Sequence, residues 1–172
     1  RDIPVIPQGK WNNLERPLLI SPDSVSYIKY ASLFYECKKE VFGDITHYYA
    51  GDVCHEGGTL GKANSKEIYT NIMQSMLSFD KEAVWVLQSW GENPSKQFTK
   101  TVKPYRDDHI LLLDLYAEKE NRNEGRFAQL AKYNCLFGML NNFGGRLGLY
   151  GNIDTLPEKL RKASAKENFK GI

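Results

Sequence analysis

The sequence predicts an α/β protein with parallel strands, in which roughly four βα units form part of a (β/α)8 TIM barrel. Continuous apolar segments of strand length alternate with segments at helical spacing, a pattern typical of a parallel sheet covered on both faces. Polar residues follow these strands, at the end where barrels build their sites. Because no Gly-rich phosphate-binding motif follows any strand, the barrel is favoured over the alternative, a doubly wound open sheet.

The composition is that of a globular domain, with 41% hydrophobic and 26% charged residues. The 23 basic and 21 acidic side chains give a formal charge of +2, too small to predict binding to nucleic acid or to a membrane surface. No apolar stretch approaches the roughly 18 residues of a membrane-spanning helix. We expect one partial barrel domain over residues 1–172, and a fragment of a longer protein, because a complete barrel needs about 250 residues.

Two helices and two strands are predicted in the first half of the chain. After a proline-rich opening, residues 24–42 run at helical spacing up to a glycine. Residues 46–50 are aromatic and β-branched, which indicates a strand. Ser65 is the predicted N-cap of a helix that ends near Asp80, and the apolar run 83–90 is the next strand. The apolar face predicted for the first helix contains Tyr27, Tyr30, Ala31, Phe34, Tyr35 and Val41.

The same alternation continues in the second half. A lysine-rich connection leads to residues 110–116, a further buried strand. Another strand is predicted at residues 135–140, and the last clear helix at residues 156–165. These segments bring the number of well-defined strands to four, about half of a barrel.

Glu56 is the leading candidate for chemistry. It lies in the polar segment after the first strand, four residues after Asp52 and next to His55. Glycoside hydrolases use a pair of carboxyl groups, one of which protonates the leaving oxygen, and burial raises the pKa of such a group into a useful range. The spacing suits equally a loop carboxylate that caps the next helix or faces solvent, so the residues alone leave both interpretations open.

Polar and aromatic residues at the ends of the later strands are candidates for binding a substrate. Trp85 lies inside its strand and is predicted to be core, whereas Trp90 at the strand end suits either packing or stacking on a sugar ring. The three cysteines have no metal-ligand spacing, so no metal site and no cofactor are predicted. The remaining candidates are Tyr116, Glu118, Asn141 and Asn142.

Four blocks of the sequence resemble the α-N-acetylglucosaminidases of glycoside hydrolase family 89. Residues 49–56, Tyr-Ala-Gly-Asp-Val-Cys-His-Glu, resemble the family's Asp-Thr-Phe-Asn-Glu segment. Residues 82–90 are similar to its Glu-Ala-Val-Trp-Leu-Leu-Gln-Gly-Trp. Residues 112–118 resemble its Leu-Asp-Leu-Phe-Ala-Glu, and residues 138–151 resemble its Met-Leu-His-Asn-Phe-Gly-Gly and Gly-Leu-Phe-Gly segments. The blocks occur in the family's order and cover most of the chain from Pro17 onward.

The resemblance implies the central part of the catalytic barrel of a multidomain enzyme. That enzyme would be a retaining exo-glycosidase that releases terminal α-linked N-acetylglucosamine from glycans or glycosaminoglycans, with two glutamates about 5–5.5 Å apart and no metal. Glu56 corresponds to the acid/base, and Trp90, Asn141 and Asn142 correspond to pocket walls. The partners implied are a carbohydrate substrate and the rest of the barrel or another copy. The implied location is secreted or periplasmic in a bacterium and lysosomal in a eukaryote.

Three differences from the family pattern affect the expected chemistry. His55 and Asn141 stand where the family has Asn and His, so substrate contacts and pH dependence are expected to differ. The family's nucleophilic glutamate would lie beyond Ile172, so we expect this chain to be inactive alone. Two alternatives stay open: a non-catalytic carbohydrate-binding or degenerate barrel segment, and a different barrel hydrolase.

Overall fold

A computed structural model of the chain describes residues 3–54, 58–91, 93–118, 131–139 and 153–172. The chain folds as two compact units, the first formed by residues 1–85 and 96–103, the second by residues 86–95 and 104–172. Within the described ranges there are nine strands and four α-helices. None of the helices in these ranges has the length and apolar character needed to cross a membrane.

A five-stranded parallel sheet is the central feature, and its strands follow one another in the order of the sequence. Between β7 and β8 the parallel register runs from Leu111 opposite Asn134 to Asp114 opposite Phe137. Parallel strands that neighbour one another in sequence order, with helices in the connections that are described, are the arrangement of a (β/α)8 barrel, so the predicted partial barrel is confirmed. Four of its strands are those predicted above, and the fifth begins at Phe169, where the family resemblance also implies the beginning of a strand. The strands are β5 Tyr48–Ala50, β6 Val84–Ser89, β7 Ile110–Asp114, β8 Asn134–Phe137 and β9 Phe169–Gly171.

An antiparallel ribbon precedes the sheet in the segment that the sequence presented only as a proline-rich opening. Strand β1, Val5–Ile6, pairs with β4, Leu19–Ile20, and β2, Lys10–Trp11, pairs with β3, Leu14–Glu15. The two residues between β2 and β3 are Asn12 and Asn13, with φ of 48° and 65°. Asparagine tolerates this left-handed conformation better than most residues, which is why it occurs in two-residue hairpin loops.

Helix α1, Val25–Phe42, agrees closely with the helix predicted at residues 24–42. Ser24 caps it by accepting a hydrogen bond from the Tyr27 N–H. The broad apolar face predicted for this helix is largely wrong, because only Tyr35 is buried and Phe34 is 65% exposed. Helical periodicity identifies apolar positions but does not determine how wide a stripe a neighbouring element covers.

Helix α2, Ser65–Phe79, packs against α1 and against the short helix α3, Lys96–Thr101. Its N-cap is Asn64, so the prediction of Ser65 is wrong by one residue. The Asn64 side-chain oxygen accepts from the N–H groups of Lys66 and Glu67, which have no partner within the first turn of a helix.

An ionic cluster holds the amino ends of β5 and β6. His47 contacts Asp80 through Nδ1 at 2.9 Å and Glu82 through Nε2 at 3.3 Å. The Tyr49 hydroxyl donates to the same Asp80 carboxylate, and the Val84 N–H donates to the His47 carbonyl. The hydrogen bond with Asp80 raises the pKa of His47 above its ordinary value, and the surrounding carboxylate charges add to this effect.

In the second unit, β7 pairs with β8 and β8 pairs with β9, and helix α4, Leu156–Ser164, packs against β9. The carboxyl ends of β7 and β8 approach unusually closely at Gly138. Its N–H donates to the Asp114 carbonyl at 2.8 Å, and its own carbonyl accepts from the Ala117 N–H at 3.1 Å. A Cβ at this position would lie closer than 3.0 Å to the Asp114 carbonyl oxygen, so only glycine fits.

Candidate active site

Asp52 lies just beyond the carboxyl end of β5, in the segment that leads to Glu56. Its side chain is half-buried. The Oδ1 atom is buried and has no hydrogen-bond partner among the residues that the structure describes. A buried carboxylate oxygen in this situation normally has a hydrogen-bond donor, so this atom is available to a group outside those residues. The partial burial of Cys54, two residues further on, raises the pKa of its thiol and keeps it neutral.

The backbone immediately before Asp52 is fixed by Trp85. The indole Nε1–H donates to the Gly51 carbonyl at 2.8 Å. Trp85 is only 1% exposed, which confirms its prediction as a core residue. Its ring packs edge-to-face against Phe98, which in turn packs edge-to-face against Tyr69. The direction of the indole N–H is therefore set by the core of the first unit.

Trp90 follows the carboxyl end of β6 in a tight turn. Its N–H donates to the Asn93 carbonyl at 3.1 Å, and the Asn93 N–H donates back to the Trp90 carbonyl at 2.8 Å. Gly91 within this turn has a φ of +47°, a conformation that favours glycine. The indole is half-buried, so part of its surface is available for contact with a ligand.

Tyr116 and Glu118 follow the carboxyl end of β7. The Tyr116 N–H donates to the Asp114 carboxylate at 3.1 Å, and Tyr116 forms a β-bridge with Met139 beyond the end of β8. Tyr116 is half-buried, whereas Glu118 is fully enclosed and its backbone carbonyl accepts a hydrogen bond from Lys159 on α4. The burial of Glu118 makes it a less direct candidate for contact with substrate than Tyr116.

The predicted site residues divide into three groups. Asp52 belongs to the first unit, and Trp90, Tyr116 and Glu118 belong to the second, each after the carboxyl end of a parallel strand. Four more lie outside the described residues, so their roles stay predictions: His55, Glu56, Asn141 and Asn142. In the described part of the chain, no group of three or more His, Cys, Asp or Glu side chains is arranged to hold a metal ion.

A partial (β/α)8 barrel with carboxylate, indole and phenol side chains beyond its strand ends has the layout of a barrel hydrolase. Comparison with known proteins defines the group more closely. The chain belongs to the family described as the α-N-acetylglucosaminidase (NAGLU) tim-barrel domain, which it matches over residues 1–172.

Individual relatives agree with this assignment. Human α-N-acetylglucosaminidase is 27% identical, and the match covers 91% of this chain and 23% of the human protein. A family 89 glycoside hydrolase from Clostridium perfringens in complex with PUGNAc is 34% identical, with a TM-score of 0.84, and the match covers 98% of this chain and 19% of that protein.

The substrate complex of a C. perfringens family 89 enzyme is a further structural relative. That protein carries two Glu→Gln substitutions and binds its substrate GlcNAc-α-1,4-galactose. It is 33% identical to this chain with a TM-score of 0.83, and the match covers 98% of this chain and 19% of that protein. The chain therefore spans about a fifth of the length of these relatives. Its homologues are glycoside hydrolases that act on α-linked N-acetylglucosamine.

Sequence reasoning missed two side chains that support the segment around Glu56. One is Trp85, which was predicted only as a core residue. The other is Gln8 in the N-terminal ribbon, whose side chain contacts Thr59, 51 residues further along the chain. The Asn-Asn pair between short alternating segments was the available signal for the ribbon, but nothing local indicates the partner of Gln8.

Proposed function

We propose that this chain is part of a retaining exo-glycosidase that hydrolyses terminal α-linked N-acetylglucosamine from glycans or glycosaminoglycans. Glu56 is its acid/base, and the nucleophile is supplied by residues beyond position 172. The observation that carries the proposal is the family match over residues 1–172, in which Glu56 follows β5 in the sequence. In a parallel barrel, the segments that follow the strands contribute the catalytic groups.

The relatives support this proposal through the ligands that they bind. One C. perfringens neighbour holds PUGNAc, and another, with two glutamates replaced by glutamine, holds its substrate GlcNAc-α-1,4-galactose. An enzyme that retains bound substrate after two such replacements is what a mechanism with two catalytic glutamates predicts. Glu56 would be one of the corresponding pair in this protein.

The chemistry assigned to Glu56 has two steps. In the first, the Glu56 carboxylic acid gives its proton to the glycosidic oxygen as the bond from C1 to that oxygen breaks. At the same time, the nucleophilic carboxylate forms an ester bond to C1. In the second step, the Glu56 carboxylate takes a proton from water, whose oxygen attacks C1 and releases the nucleophile. The sugar leaves with its original α configuration.

The remaining candidates have supporting roles in this mechanism. Trp90 and Tyr116 are proposed to form walls of the sugar pocket through their half-buried rings, because aromatic faces pack well against the apolar face of a sugar. The buried oxygen of Asp52 is proposed to accept a hydrogen bond from the substrate or from His55. Asn141 and Asn142 are proposed to bind sugar hydroxyl groups.

The test uses the complete polypeptide that contains this chain, with GlcNAc-α-1,4-galactose as substrate and NMR detection of the first anomer released. We expect α-N-acetylglucosamine from the wild type. Because general acid–base catalysis contributes about 10²–10⁴-fold, Glu56→Gln should reduce kcat/KM by about that factor. Glu36→Gln, the same substitution on the exposed surface of α1, is the control and should retain activity.

Two results would contradict the proposal. Release of the β anomer would exclude the retaining mechanism, and binding of the disaccharide without any turnover by the wild type would favour the non-catalytic alternative. We also expect residues 1–172 alone to be inactive, because the nucleophile is absent from them. Turnover of an aryl α-N-acetylglucosaminide by this fragment, abolished by Glu56→Gln, would overturn that expectation.

A further inference from the structure

The described parts of the connection between β5 and α2, residues 51–54 and 58–64, are contacted by side chains from elsewhere in the first unit. On the side before Glu56, the Trp85 Nε1–H donates to the Gly51 carbonyl at 2.8 Å. The hydrogen bond engages a backbone group, so it fixes the path of the chain at the point where β5 ends. Gly51 is five residues before Glu56.

The Trp85 contact has a rigid base. The indole is buried between neighbours that restrict its rotation, with an edge-to-face contact to Phe98 at 5.2 Å between ring centroids. Phe98 is itself 2% exposed and packs against Tyr69 on α2. A donor whose ring cannot rotate in a close-packed core holds its acceptor in one place.

On the side after Glu56, Gln8 makes two reciprocal hydrogen bonds to one residue. Its Nε2–H donates to the Thr59 carbonyl at 2.8 Å, and its Oε1 accepts from the Thr59 N–H at 3.0 Å. A primary amide that satisfies both backbone groups of a single residue imitates a strand partner, and it fixes the position and the orientation of that residue. Thr59 is three residues after Glu56.

The ribbon that carries Gln8 supports the same segment at a second point. Gly61 has a φ of +58°, and a Cβ there would lie 3.2 Å from Ile6 Cγ2 on β1. The Gly61 N–H also donates to the Thr59 hydroxyl at 2.9 Å. The segment after Glu56 therefore lies against the ribbon, and Gln8 provides the contact that fixes its direction.

We propose that Gln8 and Trp85 are positioning residues. By fixing the backbone at Thr59 and Gly51, which flank Glu56 in the sequence, they favour proton transfer from Glu56 to the leaving oxygen. This inference rests on the function proposed above for Glu56. The two contacts fix the backbone at points only a few residues before and after the acid/base in the sequence, so loss of either one gives the backbone at that point more freedom.

The consequence is specific to proton transfer. A displacement of about 1 Å in a catalytic group can cost roughly 10²-fold in rate. A leaving group that departs as a stable anion does not need the proton, whereas a sugar alcohol does. Loss of either positioning contact should therefore slow the cleavage of a disaccharide far more than the cleavage of a dinitrophenyl glycoside.

The experiment measures kcat/KM, which reports the first bond-breaking step, for the complete polypeptide with two substrates. These are GlcNAc-α-1,4-galactose and 2,4-dinitrophenyl α-N-acetylglucosaminide. Gln8→Met keeps the length of the side chain and removes its two hydrogen bonds with Thr59 and a third to the Ile6 carbonyl, and Trp85→Phe removes the indole donor. We expect roughly a 10–100-fold loss on the disaccharide and less than about a threefold loss on the dinitrophenyl glycoside.

Two matched controls separate positioning from stability. Gln74→Met makes the same exchange on the exposed surface of α2 and should change neither rate. Ile110→Val removes buried volume from β7, outside the residues that form either contact, and should lower both rates in the same proportion if it lowers them at all. If Trp85→Phe fails to fold, Gln8→Met alone still tests the inference, because the half-exposed Gln8 contributes little to the core and its replacement should not prevent folding.

Glu56→Gln provides the reference for interpretation. If Glu56→Gln is selective for the disaccharide and the two positioning variants are not, the inference is wrong and the proposed function stands. If Glu56→Gln lowers both rates equally, the acid/base assignment is wrong and the inference falls with it. If Glu56→Gln, Gln8→Met and Trp85→Phe all slow the disaccharide more than the dinitrophenyl glycoside, the result supports both the inference and the proposed function.

Discussion

Replacing Gly138 by alanine should loosen the carboxyl ends of β7 and β8. The new Cβ would lie closer than 3.0 Å to the Asp114 carbonyl oxygen and 3.2 Å from Leu113 Cδ1, whereas carbon–oxygen contacts are normally about 3.3–3.6 Å. Both obstacles belong to β7, and one is backbone, so the strand ends must separate. The hydrogen bonds from Gly138 to Asp114 and from Ala117 to Gly138 then lengthen.

The cost of Gly138→Ala follows from these contacts. Two weakened hydrogen bonds contribute about 1–3 kcal/mol, and overpacking contributes about 1–3 kcal/mol more. Even the lower sum, about 2 kcal/mol, corresponds to roughly 30-fold faster amide exchange through local opening. Because Met139 and the predicted sugar-binding residues Asn141 and Asn142 follow directly, we expect KM for the disaccharide to rise as well.

Hydrogen–deuterium exchange of the complete polypeptide, followed by mass spectrometry of the peptide around residues 131–139, measures this opening. Gly51→Ala is the matched control, because a Cβ on Gly51 meets open space, and exchange around residue 51 should not change. If Gly138→Ala leaves exchange of its own segment within about threefold of the wild type, the close approach of β7 and β8 at this position is wrong.

Three further predictions concern the first unit. The pKa of His47 is higher in the folded state than the value of about 6.5 expected in the unfolded state. The ionic contacts of His47 therefore stabilise the fold fully below the unfolded pKa, and this stabilisation is lost as pH rises through the folded pKa. The difference in Tm between wild type and His47→Asn should therefore be larger at about pH 5.5 than at about pH 9, and an equal difference at both would contradict the ionic contacts. Asn64→Ala should cost about 1 kcal/mol in the free energy of unfolding and Ser65→Ala much less, and the reverse order would restore Ser65 as the cap. Asn13→Ala should lower the free energy of unfolding by about 1 kcal/mol, whereas Asn13→Gly should leave it nearly unchanged. Equal effects of the two substitutions would exclude the left-handed conformation of Asn13.

The parts of the fold that local sequence determines were predicted well. Helix α1 ends within one residue of its predicted bounds, because Ser24 supplies a capping oxygen and Gly43 adopts a φ of +74° after the last turn. The apolar run that contains Trp85 predicted both a strand and a buried indole, and both are confirmed. Apolar runs of strand length also predicted β7 and β8, since parallel strands are buried on both faces.

What the sequence did not reveal depends on contacts between distant residues. Helix α3 was predicted as a connection because its six residues are mostly polar and only Phe98 is buried. The pairing of Gln8 with Thr59 joins residues 51 positions apart, and no periodicity encodes it. The exposure of Phe34 on α1 likewise follows from which neighbours are present, which an apolar pattern alone does not determine. The proposed role of Glu56 came from family-matched residues and not from spacing.

The most direct test of that role is the pH dependence of kcat/KM for phenyl α-N-acetylglucosaminide, whose leaving group depends on protonation, compared between the wild-type polypeptide and Glu56→Gln. A catalytic acid must be protonated in the free enzyme, so the wild-type profile should fall on its alkaline side as that proton is lost. Glutamine has no proton to lose in this range, and the alkaline fall should disappear in Glu56→Gln. An alkaline fall that persists unchanged in Glu56→Gln would contradict the assignment, because another group would then be the proton donor.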